Sequence, residues 1–327
     1  MLNVAMLSKW HVHAEGYAKD FLATGKVNIP CVWDEDVSRG RAWAEELGAA
    51  FEPNLDKLLS RGDVDAVCVG TPTTMHEEVM RSAAQAGKHI FTEKVLAPTV
   101  AECERIATAI EKAGVTFAIS LPQRTMPVVL LAKEMVEKGE FGKISMVRIR
   151  NGHNGISGGW LPPYWLDEGK AAGGALLDLG CHPAYIASFL FGEPKRASAM
   201  LTAPLGSSAD ESACATYEFA GGVIVECETS FVTFDTPDSI EIYGTEGTLL
   251  RSRDRVRVKT RATAAFTDGY ITPKMPAPTQ MPIPRFVDAC VNGTGSPAGF
   301  AVSDGITLTR LLSSAYTSNR ENRIVTF

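Results

Sequence analysis

Asp178 and His182 stand four residues apart in an apolar stretch, GGALLDLGCHP, that covers positions 173–183. In a single helix these two side chains would share one face, because residues at i and i+4 are neighbours. A buried aspartate beside a histidine fixes the imidazole tautomer and stabilises its protonated form, as a general base requires. The pattern therefore predicts either an acid–base pair or an Asp and a His that only satisfy each other inside a core.

Small and rigid residues frame this stretch. Gly173 and Gly174 leave room for a ligand or for another backbone segment to approach closely. Pro183 cannot donate the helical hydrogen bond to residue 179, so it predicts a kink or a new first turn.

The first 121 residues alternate predicted strands and helices, and the strands are almost wholly apolar. Such repeated units predict an α/β domain with a parallel, doubly wound sheet, which binds ligands at the carboxyl ends of its strands. The predicted strands are 2–7, 27–33, 49–51, 66–69, 89–91 and 116–120, and the predicted helices are 13–24, 38–47, 55–61, 76–86 and 100–112.

The pattern changes after residue 121, where segments with alternating apolar and polar residues follow one another. This alternation predicts a second, α+β domain at 122–327 with a large, open and mostly antiparallel sheet. We expect a helix over 174–191 before its middle strands and a proline-rich surface loop over 261–284. The other predicted helices are 127–138, 283–291 and 303–319, and the predicted strands are 144–150, 195–202, 212–219, 223–231, 239–244, 248–252, 256–260 and 324–327.

Composition argues against several classes of partner. The net charge is −6 and there is no block of Lys and Arg, which argues against nucleic acid. Seven cysteines are scattered without a C-x-x-C pair, as expected for reduced thiols in the cytoplasm. No apolar run approaches the roughly 20 residues of a membrane span, so we expect no membrane partner.

Six pieces of the chain share an order and spacing with a known family. They are Gly70-Thr71-Pro72 with His76, Glu93-Lys94, Arg124 with Pro127, the run 139–144, the stretch 173–182, and Asp304-Gly305. Together they resemble the Gfo/Idh/MocA family of nicotinamide-dependent oxidoreductases over nearly the whole chain. The resemblance implies a Rossmann domain followed by an open antiparallel sheet domain. It also implies oxidation of a ring hydroxyl of a sugar or cyclitol, or reduction of the matching ketone.

The resemblance implies catalytic roles for three side chains: Lys94 corresponds to the family lysine, Asp178 to the aspartate and His182 to the histidine. Removing hydride from a secondary alcohol requires its proton to leave as well. A neutral imidazole can accept that proton, and a cationic lysine can stabilise the developing alkoxide. The competing interpretation of Lys94 is a surface lysine in a loop.

The turn after the first strand departs from the family pattern G-x-G-x-x-G and reads LSKWHVHAEG over 7–16. Ser8 is small enough to replace the first glycine, whereas Trp10 is not a natural replacement for a glycine at a point of close approach. We nevertheless predict that Ser8, Trp10 and His11 face the dinucleotide, because this turn is where a Rossmann domain holds pyrophosphate.

Cofactor choice depends on Asp34, which ends the second predicted strand. An acidic residue here accepts hydrogen bonds from the adenosine ribose hydroxyls and would repel the 2′-phosphate of NADP. Arg39 could compensate by turning towards that phosphate. We predict NAD over NADP, with NADP still possible. The resemblance places the remaining cofactor contacts at Thr71, Pro72, His76, Glu93 and Lys94.

His11 and His13 could form a metal pair with an Asp or Cys elsewhere in the chain. Nothing in the sequence has the ligand spacing of an H-E-x-x-H or C-x-x-C site. We therefore expect no metal, with His11 lining the turn beside the cofactor and His13 at the start of a helix.

A segment rich in glycine, proline and aromatic residues precedes the 173–183 stretch. It predicts either a lid whose aromatic faces pack on a sugar ring or a loop anchored to its own domain. Tyr185 stands where many family members carry an aspartate that helps bind substrate, which leaves the substrate's identity open. The expected substrate-binding residues are Arg124, His153, Asn154, Trp160, Trp165, Asp178, His182 and Tyr185.

Three functions are open at this point. The favoured one is an NAD(P)-dependent dehydrogenase or reductase of a sugar, sugar derivative or cyclitol. The second is a hydrolase or lyase that oxidises a glycoside transiently with bound NAD. The third, suggested by the altered glycine turn, is a non-enzymatic dinucleotide-sensing or scaffold protein. We also expect a homo-oligomer, a dimer or a tetramer, built on an open sheet face.

Overall fold

The structure is a computed structural model that describes the backbone of residues 1–327 and every side chain except that of Glu168. The chain forms two compact units, one of Met1–Leu121 with Gln280–Thr309 and one of Pro122–Thr279 with Arg310–Phe327. The break after residue 121 lies where the sequence pattern changes. Residues 280–309 belong to the first unit, whereas the sequence pattern predicted them in the second domain.

The first unit is built on a parallel sheet whose described strands run in the order β4-β3-β1-β5-β6-β7, with β2 also paired to β1. The central strands are buried along almost their whole length, as their apolar sequences predict. Pro30 separates β2 from β3 within the predicted strand 27–33. The strands are β1 Leu2–Leu7, β2 Val27–Asn28, β3 Cys31–Trp33, β4 Ala50–Phe51, β5 Ala66–Val69, β6 His89–Thr92 and β7 Phe117–Ile119.

The helices between these strands begin and end at recognisable cap residues. Asp36 accepts two amides at the start of α2, and Thr99 forms a capping box with Glu102 at the start of α5. Gly48 and Gly114 end the same two helices with positive φ. The helices are α1 Ala14–Ala23, α2 Val37–Leu47, α3 Leu55–Leu59, α4 His76–Gln85 and α5 Val100–Ala113, with a 3-10 turn at Thr73–Met75.

The segment 280–309 completes the first unit. Its helix α11, Pro282–Asn292, buries Phe286 against the rings of Phe21 and Phe91, at 6.2 and 5.8 Å between ring centres. The amide of Ile119 in β7 donates to the carbonyl of Phe300 at 2.9 Å. Helix α12, Val302–Glu321, begins in this unit.

The second unit contains a mixed, mostly antiparallel sheet in the order β14-β13-β12-β8-β11-β10-β9-β15, in which β8 and β11 are parallel. Buried residues alternate with half-buried ones along β10, as expected for a sheet with one covered face. The strands are β8 Ile144–Gly152, β9 Pro194–Thr202, β10 Ser212–Phe219, β11 Ile224–Ser230, β12 Ser239–Gly244, β13 Gly247–Ser252, β14 Arg255–Thr260 and β15 Val325–Thr326.

The predicted helix 174–191 is two helices in the structure. Its two parts are separated at Leu179-Gly180, and the chain bends by 58° between Gly169–Asp178 and Cys181–Phe191. Taken singly, no helix of the described chain is long and apolar enough to cross a membrane, and this bent pair qualifies only by length and composition. The helices of this unit are α6 Pro127–Glu137, α7 Glu168–Ala171, α8 Ala175–Asp178, α9 Cys181–Phe191 and α10 Arg261–Ala264, with 3-10 turns at Pro122–Thr125, Pro163–Leu166 and Ala220–Gly222.

Candidate functional site

The turn after β1 bends through a residue in a conformation that usually requires glycine. Ser8 has a φ of 74°, in the left-handed region. Its hydroxyl accepts the Trp10 amide at 3.0 Å, and its amide donates to the Trp33 carbonyl at 2.7 Å. Ser8 thus occupies the first glycine position through local hydrogen bonds, while the Trp10 side chain is buried.

Asp34 is buried at the carboxyl end of β3, and both of its carboxylate oxygens are engaged. They accept the amides of Lys9 and Asp36, each at 2.8 Å. The Arg39 guanidinium bonds both oxygens, through Nε at 3.0 Å and Nη2 at 2.6 Å. Burial opposes the charge of Arg39, but its bonds to Asp34 and Glu35 outweigh burial and raise its pKa. Asp34 and Arg39 therefore form an ion pair in the structure, whereas the sequence suggested opposite effects of the two residues on NADP binding.

Strand β5 ends in a buried polar segment. Gly70 approaches the first turn so closely that a Cβ on it would lie 2.9 Å from the carbonyl oxygen of Ser8. Thr71 is 1% exposed, and its hydroxyl has no hydrogen-bond partner among the described residues. Pro72 beside it is also buried. Because a buried hydroxyl without a partner costs free energy, Thr71 at this sheet edge fits a polar group of a dinucleotide.

His76 holds two backbone segments together. Its Nδ1 lies 2.9 Å from the carbonyl oxygen of Val95, and its Nε2 lies 3.2 Å from that of Thr71. Burial lowers the pKa of His76, although its contacts with these backbone carbonyls oppose that effect. The ring therefore links the end of β5 to the segment after β6, and its contact with the cofactor stays a prediction.

Glu93 is a buried carboxylate that is held as an anion. Its Oε1 accepts the Lys94 amide at 2.9 Å, its Oε2 lies 2.9 Å from Nδ1 of His13, and the Tyr17 hydroxyl donates to the same oxygen. Burial alone would raise the pKa of Glu93. The opposing effects of His11, His13 and Lys94 lower it well below its usual range.

His11, His13 and Glu93 form a group of possible metal ligands, because their ligand atoms all lie within 4.8 Å of one another. The sequence did not reveal this group, since we considered only Asp and Cys as partners of the two histidines. A carboxylate and two imidazoles suit zinc. However, Nδ1 of His11 accepts the His13 amide at 3.2 Å, and Nδ1 of His13 bonds Glu93. These hydrogen bonds explain the group as one that stabilises a buried carboxylate.

Lys94 follows Glu93 at the carboxyl edge of the same sheet and is 4% exposed. This burial contradicts the interpretation of Lys94 as a surface lysine. A buried lysine needs partners that stabilise its charge, and the electrostatic attraction between Lys94 and Glu93 is among the effects that lower the pKa of Glu93.

In the second unit, the protein itself makes the close approach predicted at Gly173 and Gly174. A Cβ on Gly174 would lie 1.9 Å from the carbonyl oxygen of Asp210, and one on Gly173 would lie 2.5 Å from the Tyr316 hydroxyl. The Asp210 carboxylate accepts the amides of Gly174 and Leu176 at 3.0 and 2.7 Å and the Tyr316 hydroxyl at 2.7 Å. Asp210 therefore caps α8 from a distant part of the chain.

Asp178 and His182 lie on different helices, so the expectation that they share one helical face is wrong. Asp178 is the last residue of α8, and His182 is the second residue of α9. Gly180 separates them at a point where a Cβ would lie 2.6 Å from the carbonyl oxygen of Leu176. Pro183 falls in the first turn of α9, where its missing amide removes no helical hydrogen bond.

The structure brings His182, Tyr185 and Arg124 together within the second unit. Nδ1 of His182 lies 2.8 Å from the Tyr185 hydroxyl, which accepts the Gln123 amide at 3.1 Å. The Arg124 guanidinium lies 5.9 Å from the centre of the Tyr185 ring and 5.5 Å from that of Phe189. These are distances at which a cation is attracted to an aromatic face.

The aromatic segment before α8 is anchored to its own unit. The His153 ring stacks on Phe231 at 5.4 Å and lies 4.6 Å from the Trp160 ring. The Trp160 indole donates to Oδ1 of Asn154 at 3.1 Å. Trp165 is buried, whereas Trp160 is 57% exposed. The segment is therefore a loop anchored to its own unit, and a contact between the exposed Trp160 face and a sugar ring stays a prediction.

Both parts of the chain match models of known protein families. Residues 9–121 match a model described as an oxidoreductase family with an NAD-binding Rossmann fold, and residues 129–250 match a GFO/IDH/MocA C-terminal domain. The chain is 27% identical over 236 residues to 1,5-anhydro-D-fructose reductase of Ensifer adhaerens, covering 70% of this chain and 69% of that protein. It is 28% identical over 251 residues to levoglucosan dehydrogenase of Pseudarthrobacter phenanthrenivorans, covering 66% and 63%.

The fold is also similar to that of solved structures. A structure of levoglucosan dehydrogenase in complex with NADH and levoglucosan superposes with a TM-score of 0.87 over 99% of each chain, at 21% identity. This similarity shows a common architecture, a parallel sheet unit and a unit with a mostly antiparallel sheet.

Proposed function

This chain belongs to the Gfo/Idh/MocA family of NAD-binding oxidoreductases, and from that premise we propose that it transfers hydride between NAD and a ring hydroxyl or ketone of a sugar, sugar derivative or cyclitol. The buried Lys94 carries this proposal, because a lysine that is 4% exposed at the carboxyl edge of a parallel sheet is placed for chemistry. Relatives named as a sugar reductase and a sugar dehydrogenase support the substrate class.

We propose that the first unit holds the cofactor through residues at the carboxyl ends of its strands. The turn at Ser8, Trp10 and His11 would accommodate the pyrophosphate, and Asp34 the adenosine ribose. The buried Thr71 hydroxyl, which has no partner among the described residues, would bond a polar group of the same molecule. When bound, the nicotinamide supplies the site that accepts or donates hydride.

The remaining roles are assigned to five side chains. The Lys94 ammonium stabilises negative charge on the substrate oxygen, because a preorganised cation in a buried site stabilises charge that develops in the transition state. The His182 imidazole accepts the hydroxyl proton during oxidation and returns it during reduction. Asp178 and Arg124 are proposed to orient the polar groups of the substrate, and the exposed face of Trp160 to contact its ring.

A screen of sugars and cyclitols tests this function. The purified protein is mixed with NAD and with D-xylose, levoglucosan, 1,5-anhydro-D-glucitol or myo-inositol, and NADH formation is followed by absorbance. We expect NADH with at least one compound, and NADH formation slowed roughly 10²- to 10⁴-fold in the His182→Ala variant. Product formation without net NADH would instead support the transient-oxidation hydrolase or lyase, and dinucleotide binding without turnover would support a sensing protein.

We also propose a homo-oligomer that associates through the uncovered face of the eight-stranded sheet. Exposed apolar side chains at Met146, Met200 and Ile224 lie there, beside ion pairs between Arg148 and Glu228. Light scattering on the purified protein is expected to give the mass of a dimer or tetramer. A cytoplasmic location is proposed as well, since the structure pairs none of the seven cysteines, which suits a reducing compartment.

A further inference from the structure

We propose that Tyr185 is a positioning residue for proton transfer, which holds Nδ1 of His182 so that Nε2 is the nitrogen that takes the substrate's proton. The inference rests on the proposed function, because it assigns a partner to the histidine named there. It also changes the role of Tyr185, which we expected from the sequence to contact substrate.

The contacts of the phenol are those that the proposed tautomer of the imidazole requires. The Tyr185 side chain is 0% exposed, and its oxygen accepts the Gln123 amide at 3.1 Å and lies 2.8 Å from Nδ1 of His182. A phenolic oxygen has two lone pairs, so after bonding Gln123 it can still accept an N–H from Nδ1. A neutral imidazole with its proton on Nδ1 has an unprotonated Nε2, the form that a general base requires.

The surrounding structure fixes this pair. His182 and Tyr185 are three residues apart in α9, a spacing that places both side chains on one face of the helix. The Gln123 amide belongs to the 3-10 turn Pro122–Thr125, and the neighbouring Arg124 guanidinium lies over the tyrosine ring. The phenol is therefore held at its oxygen by one backbone amide and at its face by a cation.

The choice of a phenol has a chemical consequence. In the oxidation direction the substrate's O–H bond breaks and an Nε2–H bond forms, while the hydride on the same carbon leaves to NAD and a carbonyl remains. The imidazolium that results donates to a neutral oxygen. A carboxylate in this place would stabilise the imidazolium with a full charge and so retain the proton. Tyr185 orients the ring without that bias, so that the proton can return when the reaction runs in reverse.

The test combines nitrogen spectroscopy with kinetics. In wild-type protein with ¹⁵N-labelled histidine, and without substrate, we expect His182 to be protonated on Nδ1, its signal assigned by its loss in His182→Ala. In Tyr185→Phe we expect a mixture of tautomers. We also expect kcat to fall by roughly 10- to 100-fold, part of what a general base contributes, with the sugar KM changed less than about twofold.

Tyr217→Phe is the matched control. Tyr217 is also buried, and its hydroxyl donates to the Leu311 carbonyl at 3.2 Å. Loss of the Tyr217 hydroxyl should lower thermal stability about as much as loss of the Tyr185 hydroxyl does. It should leave kcat and the His182 signal unchanged.

Three outcomes would overturn the proposal for Tyr185. They are an Nε2-protonated His182 in wild-type protein, an unchanged tautomer in Tyr185→Phe, and a raised sugar KM with kcat retained, which would make Tyr185 a substrate contact. The tautomer is measured without substrate, so it tests the contact even if the protein does not act on sugars. Full activity of His182→Ala would instead refute the proposed function.

Discussion

Single side chains at the candidate site are held in place by specific neighbouring groups. Lys94 and Glu93 are adjacent in sequence and both buried, and the carboxylate is kept ionised by two histidines and the lysine. His182 is oriented through Nδ1 by a phenol. Lys94 and His182 were proposed from the sequence because their neighbours form a recognisable pattern, and their catalytic roles stay predictions. Tyr17 and Asp210 were not, because a tyrosine or an aspartate gives no sign in sequence of the distant amide or carboxylate that it bonds.

Replacement of His182 by alanine tests the proposed proton transfer. We expect kcat to fall roughly 10²- to 10⁴-fold, the usual contribution of a general base, with the affinity for NAD unchanged. Steady-state kinetics and a cofactor titration measure the two quantities. Near-normal turnover would mean that another group accepts the substrate's hydroxyl proton.

Asp34→Ala tests cofactor choice. Asp34 now engages both N–H groups that Arg39 directs at it, at 3.0 and 2.6 Å. Without the carboxylate the guanidinium is released to bind a 2′-phosphate in its bidentate fork, and the repulsion between carboxylate and phosphate disappears. We expect the ratio of kcat/KM for NADP to that for NAD to rise at least about tenfold. An unchanged ratio would mean that Arg39 does not reach the cofactor.

Asp178 lies on a short helix whose position depends on contacts outside the helix. Helix α8 has only four residues, so its own hydrogen bonds cannot hold it, and Asp210 supplies its cap. The sequence predicted a helix over 174–191 because most residues there are apolar, with a kink or a new first turn only at Pro183. The break at Gly180 comes from backbone packing that hydropathy does not record.

Asp210→Asn tests whether this cap positions the site. An amide in place of the carboxylate presents a donor towards a backbone N–H of Gly174 or Leu176, so one hydrogen bond is lost. We expect a loss of about 1–3 kcal/mol in the free energy of unfolding and a lower kcat, with NAD affinity retained. Asn54→Ala is the control, because Asn54 caps α3 in the other unit; it should cost about 1 kcal/mol and leave kcat unchanged. A normal kcat in Asp210→Asn would contradict a positioning role.

At the scale of the whole molecule, the sequence indicated both sheets because the two kinds of strand differ in pattern. Continuous apolar runs mark the parallel sheet, and alternation marks the open one. It did not indicate that residues 280–309 return to the first unit. Helical spacing in α11 shows that one face is buried, but not that the face packs on Phe21 and Phe91.

The stability of the folded chain should respond to acid through Glu93. Its pKa is lowered in the folded protein, so ionised Glu93 stabilises the fold above the value near 4.5 of an unfolded chain, and this contribution disappears as pH falls through the lowered pKa. We expect Glu93→Gln to lose about 2 kcal/mol at neutral pH, and the difference from wild type to shrink below about pH 4.5.

Thermal unfolding of both proteins across this pH range measures the effect. Glu15→Gln is the control, since Glu15 also has a lowered pKa from Lys9 but is exposed. Its loss should change stability by no more than about 0.5 kcal/mol at any pH. A pH-independent difference for Glu93→Gln would mean that its charge contributes nothing.

The return of residues 280–309 to the first unit also sets the order of events during synthesis on the ribosome. The parallel sheet strands are complete once residue 121 has been made, but α11, which covers Phe21 and Phe91, is encoded far downstream. At typical elongation rates the nascent sheet would wait roughly 10–40 s for that helix, with an apolar surface uncovered. The second unit likewise waits for Arg310–Phe327. A nascent chain stalled before residue 280 should therefore be a substrate for chaperones, and a gene truncated there should yield insoluble protein.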